Sequence, residues 1–320
     1  MKQATLGLNL TTKRTRKRDF LDEMNRVVPW AALVELVAPF APDGRRGRPP
    51  FSVETMLRVH FMQQWFTLSD PAMEEALHNT PLLREFAGLD NWTSRLPDET
   101  TILRFRHLLE KHKLAPQILW VVNDLLRAEG LMLRAGTVVD ATLIAAPSST
   151  KNASGERDPE MHQSKKGNQW YFGMKAHIGV DAESGLVHTV RGSSGNVNDV
   201  VEGNALLHGE ETEVFADAGY QGADKRPDAK DDVRWNIAMR PGKRAALDKS
   251  RQVDQLTDQV ERIKASIRAK VEHPFRVIKR QFGHVKVRYR GLKKNTAQLN
   301  TLFALSNLWM ARRSLLAAQG

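Results

Sequence analysis

The chain has 320 residues, 41% of them apolar, and no cysteine, so it can bury a sizeable core but cannot form disulfides or thiolate metal sites. No stretch reaches the ~20 continuous apolar residues of a membrane helix, and the first residues lack a secretory signal. We therefore expect a cytoplasmic protein with no membrane partner. The net charge of +11 favours a polyanionic partner.

The basic residues are concentrated in three regions. Residues 261–294 carry twelve Lys or Arg against two Glu, a local net charge of +10. The two smaller clusters, both in the N-terminal part, comprise Lys13, Arg14, Arg16, Lys17 and Arg18, and then Arg45, Arg46 and Arg48. A single short run of charge is usually a solvated helix face, but three such clusters together favour nucleic acid as the partner.

The first ~125 residues have the apolar spacing of short helices. Ser52 and Asp98 are predicted to cap two of these helices. The helix after Asp98 carries Thr101 and Arg104 away from its apolar side, as in a helix-turn-helix whose second helix enters the major groove. A plain helical bundle explains the same spacing equally well.

From about residue 131 the pattern changes to strands, and five segments are apolar or alternate with a period of two. They are 137–140, 172–180, 186–190, 214–217 and 233–239. A long helix follows, with an apolar stripe of Leu256, Val260, Ile263, Ile267 and Val271. These elements predict a mixed α/β domain with a five-stranded sheet and flanking helices. The polar segment 147–169 is predicted to be a mobile loop.

Three carboxylates stand out within this domain. Asp140 and Asp217 each end a short apolar run, and Glu272 shares a helix face with Arg268 and Lys279. That face borders the apolar stripe, so we expect Glu272 to face the sheet. Carboxylates are the ligands of Mg²⁺, and two such ions about 4 Å apart suit phosphoryl transfer on DNA. The alternatives are a turn or cap role for each Asp and an Arg268–Glu272 ion pair.

Several motifs occur in a fixed order along the chain. They are Val139-Asp140-Ala141-Thr142, Tyr171-Phe172-Gly173-Met174-Lys175-Ala176-His177, Asn196-Val197-Asn198-Asp199, Asp217-Ala218-Gly219-Tyr220 and Arg268-x3-Glu272-x6-Lys279, preceded by Gly47-Arg48-Pro49-Pro50 and Pro97-Asp98-Glu99-Thr100-Thr101. Together they resemble the DDE transposases of bacterial insertion sequences, specifically the IS-five group within the IS-four-like superfamily. One departure is Ala265, where the family has a Tyr.

The resemblance implies an RNase H-like catalytic domain over 131–320, preceded by an all-α, helix-turn-helix-like DNA-binding domain over 1–130. It implies catalysis by Asp140, Asp217 and Glu272 with Mg²⁺ or Mn²⁺, two ions per site. The expected reaction is cleavage at the terminal inverted repeats by an activated water, followed by joining of the freed 3′ hydroxyl to target DNA. The expected partners are double-stranded DNA in the bacterial nucleoid and further copies of the chain, as a homodimer or higher oligomer.

The predicted DNA contacts are side chains of the basic segments and of the motifs that carry the resemblance. They are Arg16, Arg18, Arg48, Thr101, Arg104, Arg106, Lys175, Arg268, Arg276, Lys279 and Arg280. His177 is expected to be a structural histidine. Two other functions remain open: a catalytically silent DNA-binding repressor derived from a transposase, and a nuclease that hydrolyses DNA without joining it. A hydrolase of small phosphates is less favoured, because it would not need the basic region 261–294.

Overall fold

The computed structural model describes residues 14–42, 44, 48–89, 95–133 and 136–319, and the N-terminal part of these residues is helical. Its helices are α1 (Arg16–Val27), α2 (Trp30–Val37), α3 (Val53–Phe66), α4 (Asp70–Asn79), α5 (Pro81–Phe86), α6 (Glu99–Lys111) and α7 (Leu114–Ala128). Ser52 and Asp98 accept hydrogen bonds from the amides of Thr55 and Thr101, which confirms both predicted caps. Lys13, Arg45 and Arg46 of the basic clusters lie outside the described residues.

A mixed six-stranded sheet follows the helices. Its strands are β1 (Gly136–Ala145), β2 (His162–Lys166), β3 (Gln169–Asp181), β4 (Val187–Ser194), β5 (Glu213–Ala216) and β6 (Arg234–Ile237). The strand order is β2-β3-β1-β5-β6, with β4 also paired to β3. Strand β3 runs antiparallel to β1, β2 and β4, whereas β5 runs parallel to β1 and β6.

All five predicted strands are present, but β2 lies in the segment that was predicted to be a loop. Its sequence, His-Gln-Ser-Lys-Lys, is polar on both faces and mostly exposed, so no apolar period reveals it. The strand forms because the N-terminal end of β3 offers it a backbone edge, with His162 opposite Gly173.

The remaining helices are α8 (Asp199–Glu202), α9 (Pro241–Ala245), α10 (Gln252–Arg268), α11 (Glu272–Arg276) and α12 (Leu292–Ala318). A single 3₁₀ turn at Ala269–Val271 separates α10 from α11, and a π-helical segment at Val277–Gln281 follows α11. Pro274 cannot donate to the Lys270 carbonyl, and the long helix is interrupted just before this proline.

Helix α12 joins the helical part of the chain to the sheet, since it packs against α1, α7 and β4. One continuous core therefore includes Leu21 of α1, Leu119 of α7, Ile178 of β3 and Leu305 of α12. Within the described ranges, no helix has both the length and the apolar character needed to cross a membrane.

The apolar stripe of α10 does not face the sheet as predicted. Leu256, Val260 and Ile263 are 50–61% exposed, and only Ile267 and Val271 pack against the core. The helix is fixed instead by polar contacts on its other side, where Glu261 is buried and accepts a hydrogen bond from the Met239 amide. Three apolar residues that amphipathic spacing would bury are therefore left in solvent.

Candidate active site

Strands β1 and β5 bring Asp140 and Asp217 together. In the parallel ladder Val138 lies opposite Phe215. Asp140 follows Val138 by two residues within β1, and Asp217 follows Phe215 by two residues, in extended backbone just past the end of β5. Because side chains alternate along a strand, both carboxylates lie on the same face of the sheet as Val138 and Phe215. The two predicted aspartates are thus neighbours just past the last residue pair that joins β1 and β5. The prediction that Asp140 ends its strand is wrong, because β1 continues to Ala145 in its pairing with β3.

Glu272 reaches the same place from the helical side. Buried Val271 packs the preceding 3₁₀ turn into the core beside β1, and Glu272 is the first residue of α11. The charges of Asp217, Glu272 and Arg268 all act on the Asp140 carboxyl. The three predicted carboxylates therefore converge, with Arg268 beside them. Among the described residues Glu272 has no ion-pair partner, so the alternative of an Arg268–Glu272 pair is not supported.

Burial, together with uncompensated negative charge, determines the electrostatics of the site. Burial is the main reason that the pKa of Asp140 is raised to about 7, and the negative charges of Asp217 and Glu272 raise it further. The Ala141 amide, which donates to Asp140 Oδ1 at 2.7 Å, and the positive charge of Arg268 oppose this shift. Three converging oxygen ligands with a single nearby guanidinium are the donor set that a hard divalent cation prefers.

Asp217 is held by the short turn that follows β5. Its Oδ1 accepts a hydrogen bond of 2.8 Å from the Gly219 amide, which fixes the carboxylate against the backbone. Tyr220 is fully buried next to it, and burial together with the charges of Asp140 and Asp217 raises the pKa of its phenol. Tyr220 was not predicted as a site residue, although its place in the Asp-x-Gly-Tyr motif was a signal for one.

Lys279 is tethered beside the carboxylates by β1. Its Nζ donates to Thr142 Oγ1 at 2.6 Å and to the Leu143 carbonyl at 3.0 Å. Burial lowers the pKa of Lys279, while the charge of Glu272 opposes that shift. Thr142 therefore has a positioning role that the sequence analysis did not assign. Farther along the same segment Arg276 and Arg280 are exposed.

Besides the tethered Lys279, three of the predicted DNA contacts are engaged in ion pairs within the protein. Arg106 is buried at 8% exposure, pairs with Asp70 at 2.9 Å and Glu110 at 3.0 Å, and stacks on Tyr289. The sequence prediction for Arg106 therefore fails: the residue lies on the inner side of α6, where its charge is compensated. The other two residues are Lys175, which pairs with Asp199, and Arg18, which pairs with Glu85, each with a nitrogen–oxygen distance of 2.8 Å.

Other predicted DNA contacts lie together on the surface of the helical part. Arg48, Thr101 and Arg104 line a groove of about 380 Å³, and Arg95, which was not predicted, lines it as well. The Arg95 guanidinium lies 3.9 Å from the centre of the Phe51 ring. Arg16 is exposed on α1, outside this groove. The groove combines guanidinium, hydroxyl and apolar side chains.

Several described histidines form polar contacts of their own. His177 is fully buried and bonds Ser193 Oγ at 2.7 Å, which confirms that it is a structural histidine. A second group consists of His188, His208 and Glu211, whose ligand-type atoms lie within 4.8 Å of one another. This group surrounds Thr137 at the start of β1, three residues before Asp140, and Glu211 accepts a hydrogen bond from the Thr137 hydroxyl. It ties together the amino-terminal ends of the strands and does not join the carboxylate site.

Two family models match this chain. The first is described as a transposase DDE domain and matches residues 132–308, which include all three carboxylates. The second is described as a transposase domain (DUF772) and matches residues 9–108, which include the groove beside α6. Because the first match alone covers more than half of the chain, the protein belongs to the DDE transposases, a family of metal-dependent enzymes that cut and join DNA.

Proposed function

We propose that this transposase binds the terminal inverted repeats of its own insertion sequence, hydrolyses the DNA at the ends of the element and joins the freed 3′ hydroxyls to target DNA. The order of the sequence motifs supports a place in the IS-five group. The observation that carries the proposal is the convergence of Asp140, Asp217 and Glu272 beside the point where the parallel pairing of β1 and β5 ends.

These three carboxylates are the residues that would hold Mg²⁺, or Mn²⁺ as a substitute, with two ions per site. Bound divalent ions supply activation of the attacking oxygen and stabilisation of the leaving oxygen. The uncompensated charge around Asp140 supports this assignment, because the carboxyl is costly to ionise without a cation beside it. The Gly219 amide orients Asp217, and Thr142 orients the neighbouring Lys279.

Basic side chains around the carboxylates would hold the DNA backbone. Arg268 lies within electrostatic reach of Asp140, and Lys279, Arg276 and Arg280 follow on the next turns of the chain. The groove lined by Arg48, Arg95, Thr101 and Arg104 is the surface that we propose for binding the end of the element. Contacts to phosphate position the DNA, and the hydroxyl and guanidinium groups of this groove can also reach base edges.

The test is a cleavage and joining assay on a plasmid that carries the gene with its native flanking DNA. Wild type with Mg²⁺ or Mn²⁺ should cut at the flanks and give joined products. Asp140→Asn, Asp217→Asn and Glu272→Gln should each lower the cutting rate by at least ~10³-fold while binding the flanks normally. Matched controls are Asp231→Asn and Glu35→Gln, since both residues are exposed and lie outside the site.

The same assay separates the alternative functions. Binding of the flanks without any cutting, unchanged in the three variants, would show a repressor and refute the catalytic site. Nicking at the flanks without joined products would show a nuclease. Loss of activity in the two control variants as well would mean that the substitutions act on folding and not on the chemistry.

A further inference from the structure

Helix α10 is amphipathic, but the orientation of its two sides is the reverse of that expected in a monomeric protein, where the apolar side is buried. Its polar side faces the protein: Glu261 is 6% exposed and accepts hydrogen bonds from the Met239 amide and from Lys264 Nζ. Asp258 of the same helix accepts a hydrogen bond of 2.7 Å from Arg244 Nε. The polar contacts therefore hold α10 in place, and its apolar side is turned outward.

The outward side is continuous and strongly exposed. Val253, Leu256, Val260 and Ile263 are 67%, 55%, 50% and 61% exposed, and Ile267 continues the row at the edge of the core. We call these five residues the α10 stripe. Scattered apolar residues on a surface are ordinary, but an unbroken row along one helix marks an interaction surface.

The spacing of the α10 stripe identifies the kind of partner. The intervals between its residues are three, four, three and four, which is the a/d pattern of a heptad repeat. The a positions are the β-branched Val253, Val260 and Ile267, and the d positions are Leu256 and Ile263. The first of these heptads, with Val253 at a and Leu256 at d, has the combination that favours two parallel helices.

The residues that flank the stripe allow the helix to pair with itself. The e and g positions are Thr257, Gln259, Lys264 and Ser266. In a parallel pair Gln259 of one copy would face Lys264 of the other, so like charges do not meet across the seam. DNA is a poor occupant of this surface, because the row carries no basic residue with which to bind phosphate.

We infer that the α10 stripe is a homodimer interface, in which two copies of this chain pair their α10 helices in parallel. The proposal goes beyond the chemistry of the site and does not depend on it. Helix α10 leads within five residues to Glu272, so a parallel pair places the two carboxylate sites at the same end of the dimer. The stripe spans about 21 Å, only two heptads, so we expect an association that depends on concentration.

The absence of cysteine from the chain provides a direct test. In a parallel pair each d residue meets its own copy across the symmetry axis, at a separation that a disulfide can bridge. Leu256→Cys should therefore give a covalent dimer on mild oxidation of the full chain. Gln255→Cys is the matched control, because residue 255 is exposed on the same helix one position outside the row. It should remain monomeric under the same oxidation.

Sedimentation of the unmodified chain provides the second measurement. Wild type should pass from monomer to dimer as its concentration rises. Leu256→Glu and Ile263→Glu should weaken the association at least tenfold, whereas Gln255→Glu should not. Unfolding temperatures equal to that of wild type would show that the variants are folded.

Two results would overturn the inference. One is oxidation of Leu256→Cys that is no faster than that of Gln255→Cys. The other is a wild type that stays monomeric at all concentrations or dimerises equally well with glutamate in the stripe. Either result would indicate that the α10 stripe binds a different protein and not a second copy of this chain.

Discussion

At the scale of single residues, Asp140 is the side chain whose protonation most affects the protein without metal. Its pKa is about 7 in the folded state, mainly because of burial, against 3.8 for an ordinary Asp. Between these two pH values the unfolded chain has already lost the proton that the folded chain keeps. Ionisation of Asp140 therefore costs stability progressively from about pH 4 to pH 7, and the full cost persists above pH 7.

Asp140→Asn should accordingly stabilise the metal-free protein at pH 8 by roughly 1–4 kcal/mol relative to wild type, and by much less at pH 5. The measurement is urea unfolding in the presence of a chelator at both pH values. Asp231→Asn is the control, and its stability difference from wild type should not change with pH. A difference for Asp140→Asn that is equal at the two pH values would contradict the raised pKa.

Gly219 is a second residue that affects the site, because it lies directly against the Asp217 carboxylate. A Cβ at this position would lie 2.9 Å from Asp217 Oδ1, closer than a real Cβ tolerates. Gly219→Ala should therefore displace the Asp217 carboxylate and lengthen its bond to the residue 219 amide. We expect cutting to slow about tenfold or more, since misplacement of a catalytic group by ~1 Å has such effects. The position is exposed, so the unfolding free energy should change by less than about 1 kcal/mol.

Activity of Gly219→Ala should be measured as a function of Mg²⁺ concentration. A displaced ligand should raise the Mg²⁺ concentration required for half-maximal cutting. Gly242→Ala is the matched control, because a Cβ there would meet nothing within 4 Å. Wild-type Mg²⁺ dependence in Gly219→Ala would show that the carboxylate adapts without loss.

At the scale of elements, a buried amide network holds α12 against α7 and β4. Asn307 Oδ1 accepts a hydrogen bond from the Val187 amide at 2.8 Å, and its Nδ2 donates to the Val187 carbonyl and to Asn123 Oδ1. Asn123 Nδ2 donates to the same carbonyl at 3.1 Å. Two helices are thus joined through one residue at the edge of the sheet.

Asn307→Leu should lower the free energy of unfolding by about 2–4 kcal/mol, because it leaves the buried Val187 amide and the Asn123 side chain without this partner. Urea unfolding measures the loss. Ser314→Ala, on the exposed side of the same helix, should change stability by less than about 0.5 kcal/mol. Equal effects of the two substitutions would refute the role of the network.

The elements that sequence predicts well are those whose signal is local. Ser52 and Asp98 can be recognised as N-caps in the sequence because an N-cap side chain contacts only the first turn of its own helix. The strands that carry or precede Asp140 and Asp217 are predicted because a short apolar run comes before each Asp, although β1 continues past Asp140 to Ala145. Neither strand β2 nor the outward direction of the α10 stripe can be predicted from such a local signal. The first depends on an edge supplied by β3, and the second on polar contacts that Asp258 and Glu261 make with Arg244 and with the Met239 amide.

The same distinction explains Arg106. Helical periodicity places it near the border of the apolar side of α6, where an arginine can face solvent or the interior. Arg106 takes the inner position because it contacts Asp70, Glu110 and Tyr289 there. Of these partners, Asp70 and Tyr289 lie outside α6. A sequence pattern along one helix does not contain that information.

At the scale of the whole molecule, the net charge of +11 should appear as a salt-dependent affinity for DNA. Each arginine that neutralises a phosphate contributes about one unit to the slope of log affinity against log salt concentration. Arg48→Ala and Arg104→Ala in the groove should each reduce this slope by about one and leave stability nearly unchanged. The measurement is binding to a duplex drawn from the flanks of the gene, over a series of salt concentrations.

Arg106→Ala is the matched comparison, since it removes the same charge from the same helix as Arg104→Ala. Its guanidinium compensates Asp70 and Glu110 inside the protein, so its loss should cost about 3–5 kcal/mol of stability. The salt slope of the protein that remains folded should stay that of wild type. If Arg106→Ala lowered the slope and Arg104→Ala did not, the DNA would lie on the opposite side of α6 and the groove would not be its binding surface. The total charge is the same in both variants, so only the position of each arginine can produce the difference.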